Sequence, residues 1–500
     1  MSTKAIRWSI ALLGLIPLVI WGFRYINYDL WYDEVYSLEH FALTEFDTTM
    51  YYYPAPNNHI FFNLTSQLIS RIFQYRDIFV ASDHVYIFRA LQVLVTMATG
   101  YYGVLFLKRF FNFRNNYLLL VILFTTIPFM NFSLQLRGYN MSSLFTIMLL
   151  YYAWRYLKEQ KRYQLMFIGL SVLLLLYTIP SNLYVVASVG LLVLVEGWYR
   201  FRRKEQPDIK HSIYALVSIA IGILIAFMLY FPILEDVIFN KYSSREAYGW
   251  FHSFFLLLKS IPAFTSNRYL LVLLIVPGVF YFFTRSTSEE KQTTYGLITF
   301  FVLPFFLSFI HQKAPFARVF ITQAPIFALL VTIFILYYTE RLKKPIVANI
   351  LWVATSVYCI FMLVFEMNRN DAIIAEEQHD AVQLNQGLYR NFYLADFFEQ
   401  DKTIQYLKGV YKDAPVVFYD QEDRESTAMY LRKYDISFQK IDAIEDLSEF
   451  IKTHKEVYVL TAFKTKTLTA FEALGETEIE VLTPEYSFTN ILKLTNNKTF

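Results

Sequence analysis

Cysteine is almost absent from this chain, because its 500 residues include only Cys359, which lies within an apolar run. A single cysteine excludes an intramolecular disulfide and any metal site built from several cysteines. Glycine is sparse too, and in the charged C-terminal part Gly409 and Gly475 stand isolated. That part therefore lacks a phosphate-binding glycine loop and is not expected to bind a nucleotide. The chain also has no internal repeat and no low-complexity segment.

Acidic residues are almost missing from the middle of the long apolar runs, and Glu196 lies near the end of one of them. Proton- or sodium-coupled transporters normally bury such groups at mid-membrane. The paired, glycine-broken apolar runs of such transporters are missing as well. The pattern therefore favours chemistry at a membrane surface over coupled transport through the membrane.

Apolar residues are abundant, with 56% of the chain hydrophobic and 19% aromatic. A soluble domain has roughly 45–50% apolar residues, and several runs here reach the ~18 residues that cross a bilayer. We predict a polytopic α-helical membrane protein with about eleven transmembrane helices. Their predicted ranges are 8–25, 87–107, 117–132, 139–155, 163–179, 182–199, 211–231, 269–284, 293–310, 321–339 and 345–365. We expect the first run to be a retained helix, because no small-residue cleavage site precedes Trp21.

The charges are segregated along the chain. Lysine and arginine recur near the N-terminus and in every second loop, at 108–114, 155–162, 200–210, 285–291 and 341–344. The positive-inside rule places these loops in the cytoplasm, and an odd number of spans then places the C-terminal part outside. The acidic first loop, 26–86, falls on that same outer side. Because topology accounts for the cations, no nucleic-acid partner is expected.

Two domains are predicted, a transmembrane domain at 1–365 and a charged external domain at 366–500. The transmembrane domain has two long external loops, 26–86 and 232–268, and we expect interfacial amphipathic helices at 60–69 and 35–46 in the first loop. In the second domain, helix-like stretches alternate with β-rich runs. The helices are expected at 372–393, 398–411, 423–434, 443–453 and 466–473, and the strands at 415–419, 436–441, 456–461, 478–482 and 488–494. The alternation predicts a small α/β domain with a partly parallel sheet, in a docking or lid role.

An acidic pair, Asp33 and Glu34, lies among aromatic residues directly after the first apolar run. Transfer of a sugar to a hydroxyl needs a base near the hydroxyl proton, and a partly dehydrated carboxylate suits that task. If the leaving group is already a phosphate, one carboxylate and a cationic phosphate site suffice. The alternative is that the pair consists of solvated loop charges or helix N-terminal residues. Its position at a membrane surface favours a catalytic role, for Asp33 above all.

Several external residues could accompany this pair. Arg137, Lys313 and Arg318 run against the cytoplasmic bias of the cations, and Arg89 opens the second span. Arginine suits bidentate contact with phosphate and lysine supplies a point charge, whereas the alternative is snorkelling to lipid headgroups. Asn58 is by default a helix N-cap, as Asn57 could be. His59 is equally compatible with an interface role or a site role.

Taken in order, these short motifs resemble those of the GT-C glycosyltransferases that use polyprenyl-phosphate sugars, in the branch of the protein O-mannosyltransferases and the lipid A aminoarabinose transferase. The matching stretches are Trp31-Tyr32-Asp33-Glu34, Asn58-His59-Ile60, Phe88-Arg89-Ala90-Leu91, Ser133 to Tyr139, and Pro315 to Pro325. The second stretch departs from the family pattern, which has a proline after the histidine. The resemblance covers about residues 8–340 and extends to an external C-terminal domain.

The resemblance implies a GT-C fold with an external cavity and inverting transfer of one sugar from an undecaprenyl- or dolichyl-phosphate carrier. The acceptor would be a lipid, glycan or protein hydroxyl. Asp33, with Glu34 beside it, would supply the catalytic carboxylate. The donor phosphate would be bound by Arg89, Arg137, Lys313 and Arg318, and the substrates would be contacted by Tyr32, Asn58, His59, Gln135 and Tyr139.

No cofactor is expected, and no cluster of metal ligands stands out, although some distant relatives use a divalent metal. The expected location is a bacterial inner membrane, with the N-terminus cytoplasmic, the C-terminal domain periplasmic and membrane lipids around the spans. Two alternatives remain open from sequence. One is a flippase that moves lipid-linked sugars without bond cleavage, and the other is a non-enzymatic membrane scaffold with a binding domain at 366–500.

Overall fold

The computed structural model of the protein describes residues 3–55, 58–202, 206–240, 251–311, 317–377, 400–411, 414–419, 424–461, 464–472, 477–484 and 489–496. Helices make up the part up to residue 377. The first six are α1 (Thr3–Tyr25), α2 (Tyr32–Ser37), α3 (Phe46–Tyr51), α4 (Ile60–Ile72), α5 (Ile78–Asp83) and α6 (Val85–Phe110). The next six are α7 (Leu118–Phe124), α8 (Ile127–Phe132), α9 (Tyr139–Glu159), α10 (Arg162–Thr178), α11 (Leu183–Arg202) and α12 (Gln206–Tyr230). The last six of this part are α13 (Leu234–Ile238), α14 (His252–Thr265), α15 (Val272–Arg285), α16 (Ser288–Ile310), α17 (Ala324–Thr339) and α18 (Pro345–Glu377).

Within the described residues, seven helices are long and apolar enough to cross a membrane, or eight if α14 and α15, which meet at 92°, form one span. The seven fall on the predicted spans at 8–25, 87–107, 182–199, 211–231, 293–310, 321–339 and 345–365. Helix α10 is a shorter apolar helix, and the longer α9 is also largely buried. The predicted class of polytopic helical membrane protein is therefore confirmed, while the full count of eleven stays a prediction.

The predicted span at 117–132 is broken into α7 and α8 at Thr125–Thr126. Pro128 in the first turn of α8 has no N–H to continue the helical ladder. The break is filled by the buried Arg268, from the segment between α14 and α15. Its guanidinium donates to Ile122 O at 2.7 Å and to the Thr126 hydroxyl at 2.9 Å. A non-helical break is tolerated at membrane depth when protein groups satisfy its backbone in this way.

The loops predicted to be cytoplasmic meet at one end of the helix bundle. Arg109 Nε lies 2.7 Å from Glu159 Oε1, which joins the loops after α6 and α9. Glu340, after α17, accepts the Asn115 N–H at 3.2 Å, and Lys158 pairs with Glu289 at the start of α16. Residues at or beside four of the predicted basic loops thus contact one another, while the cytoplasmic side of these loops stays a prediction. Helix α17 lies centrally in the bundle, with 83% of its apolar window buried.

The C-terminal domain is a small α/β unit, as predicted. Its elements are α19 (Gln400–Val410), β1 (Val416–Tyr419), α20 (Arg424–Lys433), β2 (Phe438–Ile441), α21 (Ile444–Lys452), β3 (Glu456–Thr461), α22 (Lys464–Glu472), β4 (Thr477–Val481) and β5 (Asn490–Asn496). The sheet order is β2-β1-β3-β5-β4. β1 pairs in parallel with β2 and β3, and β5 pairs antiparallel with β3 and β4, so the sheet is partly parallel. The helix predicted at 372–393 is described only to Glu377, as the end of α18.

The long first loop carries the structure that positions the site. It contains α2, a π-helical turn at Leu38–Ala42, and helices α3, α4 and α5. Helices are thus present where interfacial helices are expected, at 35–46 as the end of α2 with the π turn and at 60–69 as α4, while their interfacial position stays a prediction. The second loop contains α13 and α14 in its described part, and residues 241–250 lie outside that part. Helix α20 of the C-terminal domain packs against α2 and α5.

Candidate active site

Asp33 lies in the first turn of α2 with its carboxylate between two arginines. Arg318 Nη1 lies 3.0 Å from Asp33 Oδ2, and Arg137 Nη2 lies 3.7 Å from the same oxygen. Arg137 also donates to the Asp33 carbonyl at 3.3 Å and to Ser37 Oγ at 3.0 Å. Asp33 and Arg137 are buried, whereas the Arg318 side chain keeps 25% of its surface exposed. The first turn of α2, the turn before α9 and the 3-10 segment before α17 therefore meet at one carboxylate.

Glu34 faces away from this cluster and forms a separate, fully buried ion pair. Its Oε2 lies 3.1 Å from Arg89 Nη2 and accepts the Trp31 N–H at 3.3 Å, as the third residue of a helix does in a capping box. Its Oε1 accepts the Leu136 N–H at 2.8 Å. Glu34 thus joins α2, α6 and the turn before α9. Adjacent helix positions point in different directions, which is why two neighbouring carboxylates have different partners.

Arg89 organises the chain between α1 and α2. Its guanidinium donates to four backbone carbonyls there, those of Tyr25, Ile26, Tyr28 and Asp29, as well as to Glu34. Because its Nη atoms are occupied by protein acceptors, the geometry favours a structural role for Arg89 over the predicted contact with a donor phosphate. Lys313, predicted for that same contact, lies outside the described residues.

His59, just before α4, is buried against the turn that precedes α9. Its Nδ1 accepts the Gly138 N–H at 2.8 Å, and its Nε2 lies 3.4 Å from Arg137 Nη2. Burial, with the charges of Arg137 and Arg318, holds the pKa of His59 well below its usual value. A neutral imidazole that accepts at Nδ1 carries its proton on Nε2. His59 Nε2 therefore carries an N–H, and its 3.4 Å approach to Arg137 Nη2 brings two donors together without a hydrogen bond between them.

The turn at 133–138 has to approach His59 closely, and Gly138 makes this possible. A Cβ at position 138 would lie 2.6 Å from Thr178 Cγ2 and 3.1 Å from His59 Cβ. The turn is held from the membrane side by Gln92 of α6, whose Nε2 donates to the carbonyls of Gln135 at 2.9 Å and Arg137 at 2.8 Å. Gln92 thus fixes the backbone of Arg137 and, through it, the position of the Arg137 guanidinium.

The remaining predicted residues fall into two groups. Tyr139 lies at the arginines, its ring centroid 5.9 Å from Arg137 Cζ, 5.8 Å from Arg318 Cζ and 4.9 Å from the His59 ring. Gln135 is buried beside it in the turn, and its Oε1 has no hydrogen-bond partner among the residues that the structure describes.

The other two predicted residues, Asn58 and Tyr32, have contacts within the first loop. Asn58 is fully buried, and its Nδ2 donates to the carbonyls of Thr49 and Tyr52 at 2.9 and 3.0 Å. Its Oδ1 accepts from Asn63, so Asn58 braces the loop and does not cap α4 with its side chain. Tyr32 is half-buried and stacks with Tyr36, with the ring centroids 6.4 Å apart. The predicted substrate contacts of these residues stay predictions.

Two residues of the site were not predicted from sequence, Ser37 and Gln92. Gln92 carries a usable signal, because a glutamine within an apolar span needs buried partners. Ser37 carries none, since a serine one helical turn after Asp33 is unremarkable by itself. Among the described residues, no group of three or more histidine, cysteine, aspartate or glutamate side chains could hold a metal ion.

The solved structures that share this fold include two of one protein. They are crystal structures of ArnT from Cupriavidus metallidurans, one in the apo state and one bound to undecaprenyl phosphate. Their sequences are 12% and 11% identical to this chain in the aligned part, 98% of each chain is covered, and the TM-score is 0.52 in both comparisons. No protein-family model matches the chain, and no curated protein matches it in sequence. The likeness confirms the GT-C fold predicted from the motif order.

Proposed function

We propose that this chain is a membrane glycosyltransferase that transfers one sugar from a polyprenyl-phosphate carrier to a hydroxyl group on the outer face of the membrane. The observation that carries the proposal is the convergence of Arg318 and Arg137 on the Asp33 carboxylate, at 3.0 and 3.7 Å. Arg137 precedes the first residue of α9, and the basic loop 155–162 lies at the other end of that helix. The fold supports the proposal, because one structure that shares it is bound to undecaprenyl phosphate.

The chemistry needs few groups. The leaving group of a polyprenyl-phosphate sugar is a phosphate that is already anionic, so its departure requires stabilisation of charge and no general acid. The acceptor hydroxyl is a poor nucleophile until a base takes its proton. Asp33 is the base in this proposal, and Arg137 and Arg318 bind the phosphate.

The resting ion pairs suggest how donor and acceptor chemistry are coupled. Two guanidinium groups share one carboxylate, and a phosphodiester brings one further negative charge that suits a bidentate arginine. When the donor phosphate takes up the arginine N–H groups, the Asp33 carboxylate is released from them and turns to the acceptor hydroxyl. The Nε2–H of His59 is a third donor on the same side, since it lies 3.4 Å from Arg137 Nη2.

Attack by an acceptor directly on the anomeric carbon, opposite the departing phosphate, inverts that carbon in a single displacement. A retaining reaction would require a second carboxylate as a nucleophile. Glu34 does not serve in that way here, because its two oxygens are engaged by Arg89, Trp31 and Leu136. The proposal therefore includes inversion with Asp33 as the one catalytic carboxylate.

The proposed setting is a bacterial inner membrane with the site and the C-terminal domain on the periplasmic side. The acceptor class is a hydroxyl of an envelope lipid, glycan or protein. Comparison of envelope glycans and glycoproteins by mass spectrometry, with and without the protein, identifies the acceptor and the sugar together.

The decisive experiment measures sugar transfer in membranes supplied with undecaprenyl-phosphate-linked sugars. Asp33→Asn keeps the size of the side chain and removes the base, and transfer is expected to fall at least ~100-fold. The matched control is Asp47→Asn, which makes the same change at an exposed position of the same loop. Unchanged transfer by Asp33→Asn at equal protein level contradicts the assignment.

The same preparations distinguish the two alternatives. A flippase moves the lipid-linked sugar across the bilayer with the sugar-phosphate bond intact, which a vesicle sidedness assay detects. A scaffold keeps its function in Asp33→Asn, Arg137→Gln and Arg318→Gln variants and loses it on deletion of residues 366–500.

A further inference from the structure

Helix α20 of the C-terminal domain binds the chain three residues before Asp33. Ser426 Oγ donates to the Leu30 carbonyl at 2.6 Å, and the Leu30 N–H donates to Tyr430 Oη at 3.1 Å. Both backbone groups of Leu30 are therefore paired with side chains one helical turn apart on α20. Leu30, Ser426 and Tyr430 are all buried.

Leu30 has no regular structure of its own to satisfy these groups, because it lies between the end of α1 and the start of α2. A buried N–H or C=O without a partner is costly, by about 1–3 kcal/mol for each group. The two hydroxyls of α20 therefore fix the position of this peptide. Arg89, in the membrane domain, holds the carbonyls of the two preceding residues, Tyr28 and Asp29.

Other contacts place α19 and α20 on the same segment. Asp29 Oδ2 accepts the Asp401 N–H at 2.7 Å, and Glu39 Oε1 lies 3.0 Å from Arg432 Nη2. Lys433 Nζ lies 2.7 Å from Asp83 Oδ1 at the end of α5. The C-terminal domain thus contacts the first loop on both sides of α2, which carries Asp33.

We propose that Ser426 and Tyr430 are positioning residues for Asp33, and that the C-terminal domain sets the catalytic carboxylate against Arg137 and Arg318 through the Leu30 peptide. The inference rests on the proposed transferase function and gives the C-terminal domain a role in catalysis instead of substrate binding. Displacement of a reacting group by about 1 Å costs up to ~100-fold in rate. A small movement of Leu30 is transmitted directly to α2, because only Trp31 lies between Leu30 and the helix start.

The test uses the full chain in liposomes, with the undecaprenyl-phosphate sugar that the wild-type protein transfers. Ser426→Ala and Tyr430→Phe each remove one hydroxyl and leave the rest of the side chain, and the double variant removes both. The matched control is Tyr434→Phe. The Tyr434 hydroxyl contacts Asp401 and Gln405 within the C-terminal domain, at 2.9 and 2.6 Å.

Two quantities are measured, the steady-state kinetics for the donor and the deuterium exchange of the amides of residues 29–37. The double variant is expected to lower kcat roughly 10- to 100-fold, to leave KM for the donor within about twofold, and to speed exchange in 29–37. Each single variant should show a smaller effect in the same direction. Tyr434→Phe should change neither quantity.

The outcomes separate the proposals. A double variant with wild-type kcat and wild-type exchange in 29–37 overturns the positioning role, even if Asp33→Asn abolishes transfer. Faster exchange throughout α6 and α9 would reveal a general loss of structure, which also overturns a specific role. If Asp33→Asn retains transfer, the proposed function fails, and the exchange measurement still decides whether α20 fixes the Leu30 peptide.

Discussion

Arg89 Nη2 lies 3.1 Å from Glu34 Oε2, and both side chains are almost completely buried. The neighbouring Asp33 instead contacts Arg318 and Arg137. The acidic pair is therefore divided between two tasks. Glu34 and Arg89 hold together α2, α6 and the turn before α9, whereas Asp33 and its arginines face the position where chemistry is proposed.

This division predicts opposite responses to two similar substitutions. Glu34→Gln leaves the buried Arg89 without its counter-ion and should lower the free energy of unfolding by about 3–5 kcal/mol. Asp33→Asn should lower transfer at least ~100-fold with a smaller change in stability. Arg318 is partly exposed, and the buried Arg137 keeps its hydrogen bonds to the Asp33 carbonyl and Ser37 Oγ. Thermal unfolding of the two purified variants, followed by their transfer rates, checks both statements. A stable, fully folded Glu34→Gln protein would contradict the structural role of the pair.

Binding of the donor phosphate should depend on Arg318 and Arg137. Each charge-assisted hydrogen bond is worth about 1.5–3 kcal/mol, so Arg318→Gln and Arg137→Gln should each weaken binding of undecaprenyl phosphate by roughly 10- to 100-fold. The binding of the lipid to purified protein in detergent is the measurement.

Arg71→Gln is the control for this experiment, because Arg71 pairs with Glu45 at an exposed position of the first loop. Equal losses in Arg71→Gln and Arg318→Gln would show that the effect comes from general charge. Arg318→Lys should recover part of the affinity, since lysine restores the charge and lacks the planar fork.

Arg89 and Arg318 show how much of the candidate site the sequence can predict. Both are cations on the predicted outer side, and the motif order implies the same phosphate contact for both. Arg318 lies at Asp33, but Arg89 is occupied by four carbonyls and Glu34. Which acceptors surround a cation depends on how loops fold back on helices, and no periodicity in the sequence encodes that.

The helices and strands are easier to predict from the sequence than the breaks within them and the contacts between them. Long apolar runs and strand–helix alternation predict most helices, and the five strands with a partly parallel sheet. The break at Thr125–Thr126 was missed because hydropathy continues through it, while Arg268, which fills it, is far away in sequence. The contact between Leu30 and α20 was equally hidden, since Ser426 and Tyr430 are ordinary residues of an amphipathic helix.

Gly138 should be sensitive to the addition of one methyl group. Its φ of −72° suits any residue, so the obstacle is space alone. Because a Cβ would lie 2.6 Å from Thr178 Cγ2, Gly138→Ala should cost about 1–3 kcal/mol of stability and lower transfer by displacing Arg137. The double variant with Thr178→Ser, which removes that methyl group, should recover part of both losses. Strictly additive effects in the double-mutant cycle would contradict this account.

His59 should make the folded protein less stable at acidic pH. Its pKa is held well below the usual value in the folded protein, whereas in the unfolded chain it is about 6.5. The contribution of the neutral His59 to the free energy of unfolding is therefore fully present above about pH 6.5. Below that pH the free energy of unfolding falls by about 1.4 kcal/mol per pH unit, because only the unfolded chain takes up the proton. His59→Gln should remove this slope. Unfolding midpoints of both proteins between pH 7.5 and 5 provide the comparison, and parallel curves would contradict the prediction.

Asp29 should have the opposite pH dependence, because it should strengthen the contact between the two domains at acidic pH. Burial raises the pKa of its carboxyl to about 6, although the Asp401 N–H, Arg89 and Lys433 all favour the ionised form. Because docking raises the pKa of this carboxyl, its favourable contribution to docking is fully present below the undocked pKa, near 3.8. That contribution is lost as the pH rises through about 6. Docking of the C-terminal domain should therefore tighten when the pH falls from 7.5 to 5. Asp29→Asn is neutral at all pH values and can still accept the Asp401 N–H, so its docking should not vary with pH and should be at least as tight at pH 7.5 as that of the wild-type protein at pH 5. Deuterium exchange of residues 29–37 at the two pH values, corrected for the intrinsic rates, measures this. Exchange that slows equally with falling pH in both proteins would assign the effect to another group.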